Sequence, residues 1–463
     1  MMTATNNQHL PQIDRHVGTQ GPRPSGLSIR WQTVAQILCA GYIAAHYIAL
    51  LVQTSYKSTL LDELTALAIL PLALMFAVSR PGRIPGLLFL VYLIVLILGG
   101  YLSQYGGVPQ PRAALVAAVL DAKIAIFTFA LAFLIARSPE PEKIIRVAVY
   151  TLAVFAVINL PFVFLDLARG SDIYGAHLTI KGGFPQPRAL LHHHTEAAWL
   201  YCLAGLGAFT LFQERRQQLF LWLALAFGAT LLITLSVKEI AAFLIGVVII
   251  AGSAHGGRLG KAVLALCIVG GAAVVLYSTN IGDAILGHAG MFVGESAIPT
   301  VRGAMTEVAP AIANENFPLG SGGGTFGSAP SYQYGYSDVY YRYNIYKLYG
   351  GSPEYSNFLQ DVFWPKIIGE AGWIGFAAYV TFMAVLVRRL NSPKFSHNSS
   401  TVYYRRLSLS IVVAILIISS ASAPFTNELL LFAAALGFGY SARTFIARKR
   451  RIRHLDNQQE RTD

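Results

Sequence analysis

The chain alternates long apolar runs with short polar breaks, and the runs have membrane length. An α-helix needs about 20 apolar residues to cross a hydrocarbon core, and stretches of that size recur along the sequence. The pattern predicts spans over 33–53, 62–78, 84–102, 113–136, 144–167, 192–213, 218–235, 239–254, 261–277, 362–387, 407–423 and 427–443. Barrel strands would alternate in polarity, and these runs are continuous. The expected fold is an all-α polytopic membrane protein with about twelve transmembrane helices and one large loop. Its divisions are a tail over 1–32, a first helical block over 33–277, the loop over 278–361, a second block over 362–443 and a basic tail over 444–463.

Composition agrees. Of 463 residues, 54% are hydrophobic and 13% charged, against about 25% charged in a soluble domain. The net charge of +12 is read as membrane topology, since Lys and Arg collect on the cytoplasmic side; no nucleic-acid partner is implied. Cys39, Cys202 and Cys267 lie inside apolar runs, which suits packing and not a disulfide framework. The opening residues, with Arg15, Arg23 and Arg30, lack the apolar core of a cleavable signal peptide.

Charge then orients the chain. With a cytoplasmic N-terminus, the inside loops hold Arg80, Arg83, Arg137, Lys143, Arg215, Arg216, Arg258, Lys261, Arg388, Arg389, Arg405 and Arg406. The outside loops are poor in Lys and Arg, so both termini are expected to be cytoplasmic, with the final basic tail near anionic headgroups. Arg188, Lys238 and Arg302 break the rule, with Lys181, Arg342 and Lys347. Cations on the outer face against the topological preference point to an anionic ligand there. Isolated basic residues are also tolerated in outer loops, and each one alone supports either reading.

Four segments carry candidate chemistry. Gly182-Gly183-Phe184-Pro185-Gln186-Pro187-Arg188 precedes His192-His193-His194-Thr195-Glu196. Backbone N–H groups at a helix start there, with the planar fork of Arg188, would seat a phosphate. Adjacent histidines on a helix point about 100° apart, so the three are not expected to share a metal ion; one of them, or Glu196, would rather hydrogen-bond a sugar. Ser236 can cap the helix whose first turn holds Lys238, where the dipole disfavours a cation; pairing with Glu239 is the alternative to a bound anion. The long loop holds Arg302, then Asn316-Phe317-Pro318-Leu319-Gly320-Ser321-Gly322-Gly323-Gly324-Thr325-Phe326. Gly322 and Gly324 would let backbone approach a ligand, yet no Lys-Ser or Lys-Thr follows, so this is no nucleotide P-loop. Tyrosines from 332 to Tyr355 could stack on sugars or line the membrane interface. Asp361 falls at the outer boundary of the next span, and Glu370 lies within it, where an acid is either functional or a hydrogen bond between helices. Asp121 and Lys123 raise the same question; flanking Ala122, they point apart on a helix.

These residues resemble the bacterial O-antigen ligase and polymerase family, integral membrane glycosyltransferases of the GT-C type. Arg302 with the Asn316–Phe326 run resembles that family's arginine and glycine-rich segment. Glu370, Gly372 and Gly375 resemble its closing Glu-x-Gly-x-x-Gly helix, and Arg188 its outer arginine before a helix. Lys238 stands where the family commonly has an arginine. The family's ligases carry a histidine where this chain has Asp361, which leans the resemblance toward a polymerase.

The resemblance implies a large periplasmic loop, an inner-membrane location and a polyprenyl-diphosphate-linked oligosaccharide as donor. No metal or other cofactor is implied. Arg188, Lys238 and Arg302 would neutralise the departing diphosphate, with Gly322, Gly324, Tyr355 and Glu370 around the substrate. Asp361, or Glu354, would act as general base. Membrane lipids, a chain-length regulator and export machinery are the implied partners. Competing expectations are a ligase acting on another acceptor, a flippase or transporter of lipid-linked sugar, and a non-enzymatic assembly partner.

Overall fold

The computed structural model describes residues 27–51, 55–102, 111–181, 184–191, 193–252, 300–356, 358–391, 399–419 and 422. Its helices are α1 (Leu27–Leu51), α2 (Ser55–Ala77), α3 (Arg83–Leu102), α4 (Pro111–Arg137), α5 (Pro141–Arg169), α6 (His194–Arg215), α7 (Gln218–Ile233) and α8 (Val237–Ala251). Then come α9 (Val301–Glu315), the short α10 (Pro330–Gln333) and α11 (Asp338–Arg342), α12 (Phe363–Asn391) and α13 (Ser399–Ile418). The predicted spans 261–277 and 427–443 lie outside the described residues, as do the tail 444–463 and most of the tail 1–32; each other predicted span falls on a helix. Among the described residues, five helices are long and apolar enough to cross a membrane: Arg83–Leu102, Arg112–Arg137, Pro141–Arg169, His194–Arg215 and Phe363–Arg388.

The membrane character shows in how these helices spend their apolar residues. On α3, Phe89, Tyr92 and Leu96 are buried in the bundle, while Leu87, Leu90 and Ile94 face outward and stay exposed. Apolar side chains on both faces suit a helix with protein on one side and lipid on the other. The bundle packs α2 on α4, α3 on α12, α6 on α7, and α8 on α13.

One departure from an all-helical chain lies between α5 and α6. β1 (Thr179–Lys181) pairs antiparallel with β2 (Phe184–Gln186), with Ile180 opposite Pro185. Pro185 and Pro187 cannot donate the N–H groups a helix needs, so this polar link takes a hairpin instead. Gln186 Nε2 donates to Thr234 O at 2.9 Å, which docks the hairpin on the α7–α8 turn.

The loop after Thr300 is a folded unit, not a slack tether. Val301, Met305, Ile312, Phe326, Tyr340 and Leu359 form its own core, and α9 packs along α12. The glycine run plugs into the bundle. Ser321 N–H and Gly322 N–H donate to the Gly369 and Glu370 carbonyls at 2.8 Å each, and Gly323 N–H donates to Leu96 O at 2.9 Å. α12 is broken just there, at Gly372, with φ 60° and ψ −169°. A Cβ on Gly322 would lie 2.1 Å from Gly100 N, and one on Gly324 2.7 Å from the Ala113 carbonyl carbon. The expectation that these two glycines approach a ligand is therefore corrected: the close approach is to α3 and α4, because a side chain would hold the loop off the bundle.

Beneath the plug is a buried polar chain. Lys366 Nζ donates to Asp121 Oδ1 at 2.6 Å, and Tyr92 Oη donates to Asp121 Oδ2 at 2.5 Å. Both charged side chains are under 10% exposed (7% and 5%). Removing one partner of a buried pair strands the other charge and costs about 3–5 kcal/mol, whereas an apolar replacement of both is nearly neutral. Thermal unfolding in detergent should show large losses for Asp121→Leu and Lys366→Met separately and recovery of most of the loss in the double variant. Strictly additive losses would show that the pair is not coupled.

Candidate functional site

Four polar segments meet at one end of the bundle. They are the hairpin link 171–191, the α7–α8 turn, the start of α9 and the approach to α12.

Arg188 follows the hairpin. Its backbone N–H and that of Ala189 donate to Asp166 Oδ2 at 3.0 and 2.6 Å, and Leu190 N–H donates to Asn159 Oδ1 at 3.0 Å. The backbone donors expected to seat a phosphate are thus taken by α5 side chains, and α6 itself begins later, at His194. What remains for a ligand is the guanidinium. It faces Asp172 at 3.6 Å and donates through Nη2 to His177 O at 3.3 Å and Thr179 Oγ1 at 3.4 Å. Its Nε is buried and has no hydrogen-bond partner among the described residues.

His193 caps α6, its Nδ1 accepting from Thr195 N–H at 3.3 Å and contacting Thr195 Oγ1 at 2.6 Å. Enclosure by neighbouring residues, then the positive charges of Arg188 and Lys238, push its pKa below the usual imidazole range although the residue keeps an exposed side, and Asp361 opposes them. Lys238 lies 3.9 Å from Glu239 Oε1, which also accepts from Trp199 Nε1 at 2.7 Å. Lys238 interacts electrostatically with Asp361 and Arg302 as well.

Arg302 sits in the first turn of α9, whose Thr300 cap accepts from Gly303 N–H at 3.1 Å. Its Nε donates to Asp361 Oδ2 at 3.1 Å, and its Nη2 donates to the same oxygen. The guanidinium also lies over the Phe358 ring, 4.9 Å from the centroid. Phe358 contacts Tyr349 and Tyr355, themselves 5.1 Å apart. Tyr349 and Tyr355 are exposed, unlike Tyr340, which is buried in the loop core. Tyr332 joins the group: burial and the charge of Asp361 raise its pKa.

The structure therefore brings Arg188, Lys238, Arg302 and Asp361 into one electrostatic neighbourhood, with His193 and Lys238 linking the two arginines. Each cation already has a carboxylate, respectively Asp172, Glu239 and Asp361. Two of the three pairs, at 3.6 and 3.9 Å, stand near the 4 Å limit of an ion pair. Tyr355 borders the group through Phe358. Glu370, Gly322 and Gly324 do not join it. Glu370 is fully buried, and its Oε1 accepts from Thr325 N–H (3.0 Å), Phe326 N–H (2.9 Å) and Ser328 Oγ (2.6 Å). That is the structural alternative for an acid within a span, and it makes Glu370 the anchor of the glycine loop. Arg342 pairs with Glu315 at 3.1 Å on the loop surface. Sequence reasoning did not single out Tyr332 or separate His193 from its neighbours. The cap position, a polar residue just before an apolar run, was the one available signal.

No protein-family model matches the chain, and no curated protein matches it.

The lowered His193 pKa has a sign. As pH falls through about 6.5, the unfolded chain takes the proton before the folded protein does, so stability falls with pH across that window. His193→Asn keeps a capping side chain and should flatten the pH dependence of thermal unfolding between about pH 5 and 7. An unchanged slope would remove His193 from the cationic group.

Proposed function

We propose that this protein is a membrane glycosyltransferase that polymerises polyprenyl-diphosphate-linked oligosaccharide repeat units. The observation that carries the reading is the gathering of two arginines, a lysine and an aspartate at one end of an apolar helical bundle, beside an exposed aromatic pair. In this reading the protein has about twelve spans and lies in a bacterial inner membrane with both termini cytoplasmic. The site end is periplasmic, and the opposite end carries Arg137, Arg146, Arg215 and Arg406.

The chemistry follows from charge. The donor's anomeric carbon is attacked by an acceptor hydroxyl while its bond to the diphosphate breaks. Negative charge grows on the leaving diphosphate, and fixed cations in a water-poor site stabilise that charge most where it develops. The planar fork of Arg302 suits phosphate oxygens as well as it suits Asp361. An arriving diphosphate competes for that fork and releases Asp361, whose freed carboxylate takes the proton of the attacking hydroxyl. Arg188, with its buried Nε, and Lys238 complete the anion's surroundings. Tyr349 and Tyr355 offer faces for sugar stacking.

One-step transfer to a different acceptor and translocation without bond formation are the competing readings. Reconstitution with lipid-linked repeat units separates the readings: a ladder of lengths marks a polymerase, a single added unit on a foreign acceptor marks a ligase, and translocation without bond formation marks a flippase. Arg188→Ala and Arg302→Ala should each lower turnover roughly 100-fold or more with membrane expression intact. Asp361→Asn should block turnover and retain donor binding. Long polymer from both arginine variants would refute the assigned roles.

A further inference from the structure

α7 and α8 both pack on α6 but barely touch one another. The Phe243 ring holds them apart. Small residues make room for it: a Cβ on Gly205 would come within 2.8 Å of the ring, and one on Gly228 within 3.1 Å. The result is an open furrow of about 400 Å³ whose lining is apolar throughout, including Phe209, Leu225, Ala229, Leu232, Phe243 and Val247. That volume lies within the usual range for ligand sites, about 300–1,000 Å³. From Leu221 to Leu232 it follows α7 for roughly 16 Å at helical rise.

Where the furrow ends matters more than its size. Its upper lining residues, Leu232 and Ile240, stand within one helical turn of Thr234 and Lys238. Thr234 is tied to the hairpin that leads into Arg188, and Lys238 lies in the field of Arg302 and Asp361. The apolar furrow thus ends within one helical turn of Lys238, a member of the cationic group. One molecule satisfies both parts: a long hydrocarbon chain with a multiply charged anionic head.

We propose that the α7–α8 furrow holds the first isoprene units of the polyprenyl chain, with the attached diphosphate at Lys238, Arg188 and Arg302. This rests on the glycosyltransferase reading and adds to it the place where the lipid enters. Lys238 then has a distinct duty. It stands at the junction of tail and head and fixes how deep the chain slides, so the anomeric carbon arrives beside Asp361.

The test uses the full chain in vesicles of phosphatidylethanolamine and phosphatidylglycerol. A photoreactive polyprenyl diphosphate is the first probe, a photoreactive phosphatidylglycerol the second, and a tail-less sugar diphosphate the third. Ala229 and Leu225 are exposed on the furrow, so Ala229→Trp and Leu225→Trp fill it with little strain on the fold. The expected result is labelling of α7 and α8 by the first probe, weakened roughly tenfold in affinity by either tryptophan, with tail-less diphosphate binding unchanged. Wild-type capture of the polyprenyl probe at other helices, or undiminished binding by both variants, overturns the furrow and leaves the enzymatic reading standing. Equal labelling by phosphatidylglycerol overturns it in favour of bulk lipid. Crosslinks from a photoreactive residue at 225 to residues 253–299 overturn it in favour of the chain covering its own furrow. Failure of wild type to bind either diphosphate overturns both the furrow and the function.

Discussion

The structure depends on a backbone contact: the glycine loop seated in the break of α12. Ser321 and Gly322 give their N–H groups to carbonyls just before Gly372, and Gly323 gives its own to Leu96 of α3. Glu370 holds the other side of the loop through three donors on one oxygen. Non-helical backbone at a membrane boundary survives only where protein satisfies its polar groups, and here loop and broken helix satisfy each other. The seat ties the middle of the loop domain to α12 and α3, while Arg302 at its start and Asp361 at its close bond to each other.

Charge is managed differently at the two ends of the bundle. At one end Arg146 donates to Glu214 at 2.5 Å and to Tyr404 at 2.8 Å, and Tyr404 also bonds Glu214. That knot ties α5, α6 and α13 with short bonds. At the other end Arg188 and Lys238 keep their carboxylates at 3.6 and 3.9 Å. The Asp121–Lys366 pair is buried and fastens α4 to α12, whereas the Arg302–Asp361 pair is just as close but partly exposed.

The helices were legible because membrane length is a one-dimensional signal; Arg188, Lys238 and Arg302 stood out as cations on the side expected to be poor in them, and Asp361 because it falls at the boundary of a span. The glycines were read correctly as a place of close approach and wrongly as to what approaches. Nothing in Gly322 or Gly324 says whether the neighbour is a phosphate or the backbone of α3. The hairpin was missed because strands of such length leave no periodicity, although Pro185 and Pro187 marked its irregularity. The phosphate seat before α6 failed for a long-range reason: Asp166, more than twenty residues upstream, folds back onto those N–H groups.

Sequence alone determined that apolar segments of spanning length alternate with polar ones, and it picked out a few charged residues between them. Both follow from transfer free energies that act residue by residue. Tertiary structure decided which polar groups meet. Partners such as Lys366 and Asp121, or Arg302 and Asp361, are chosen by helix packing and loop seating across long separations, and no local pattern of residues encodes that choice.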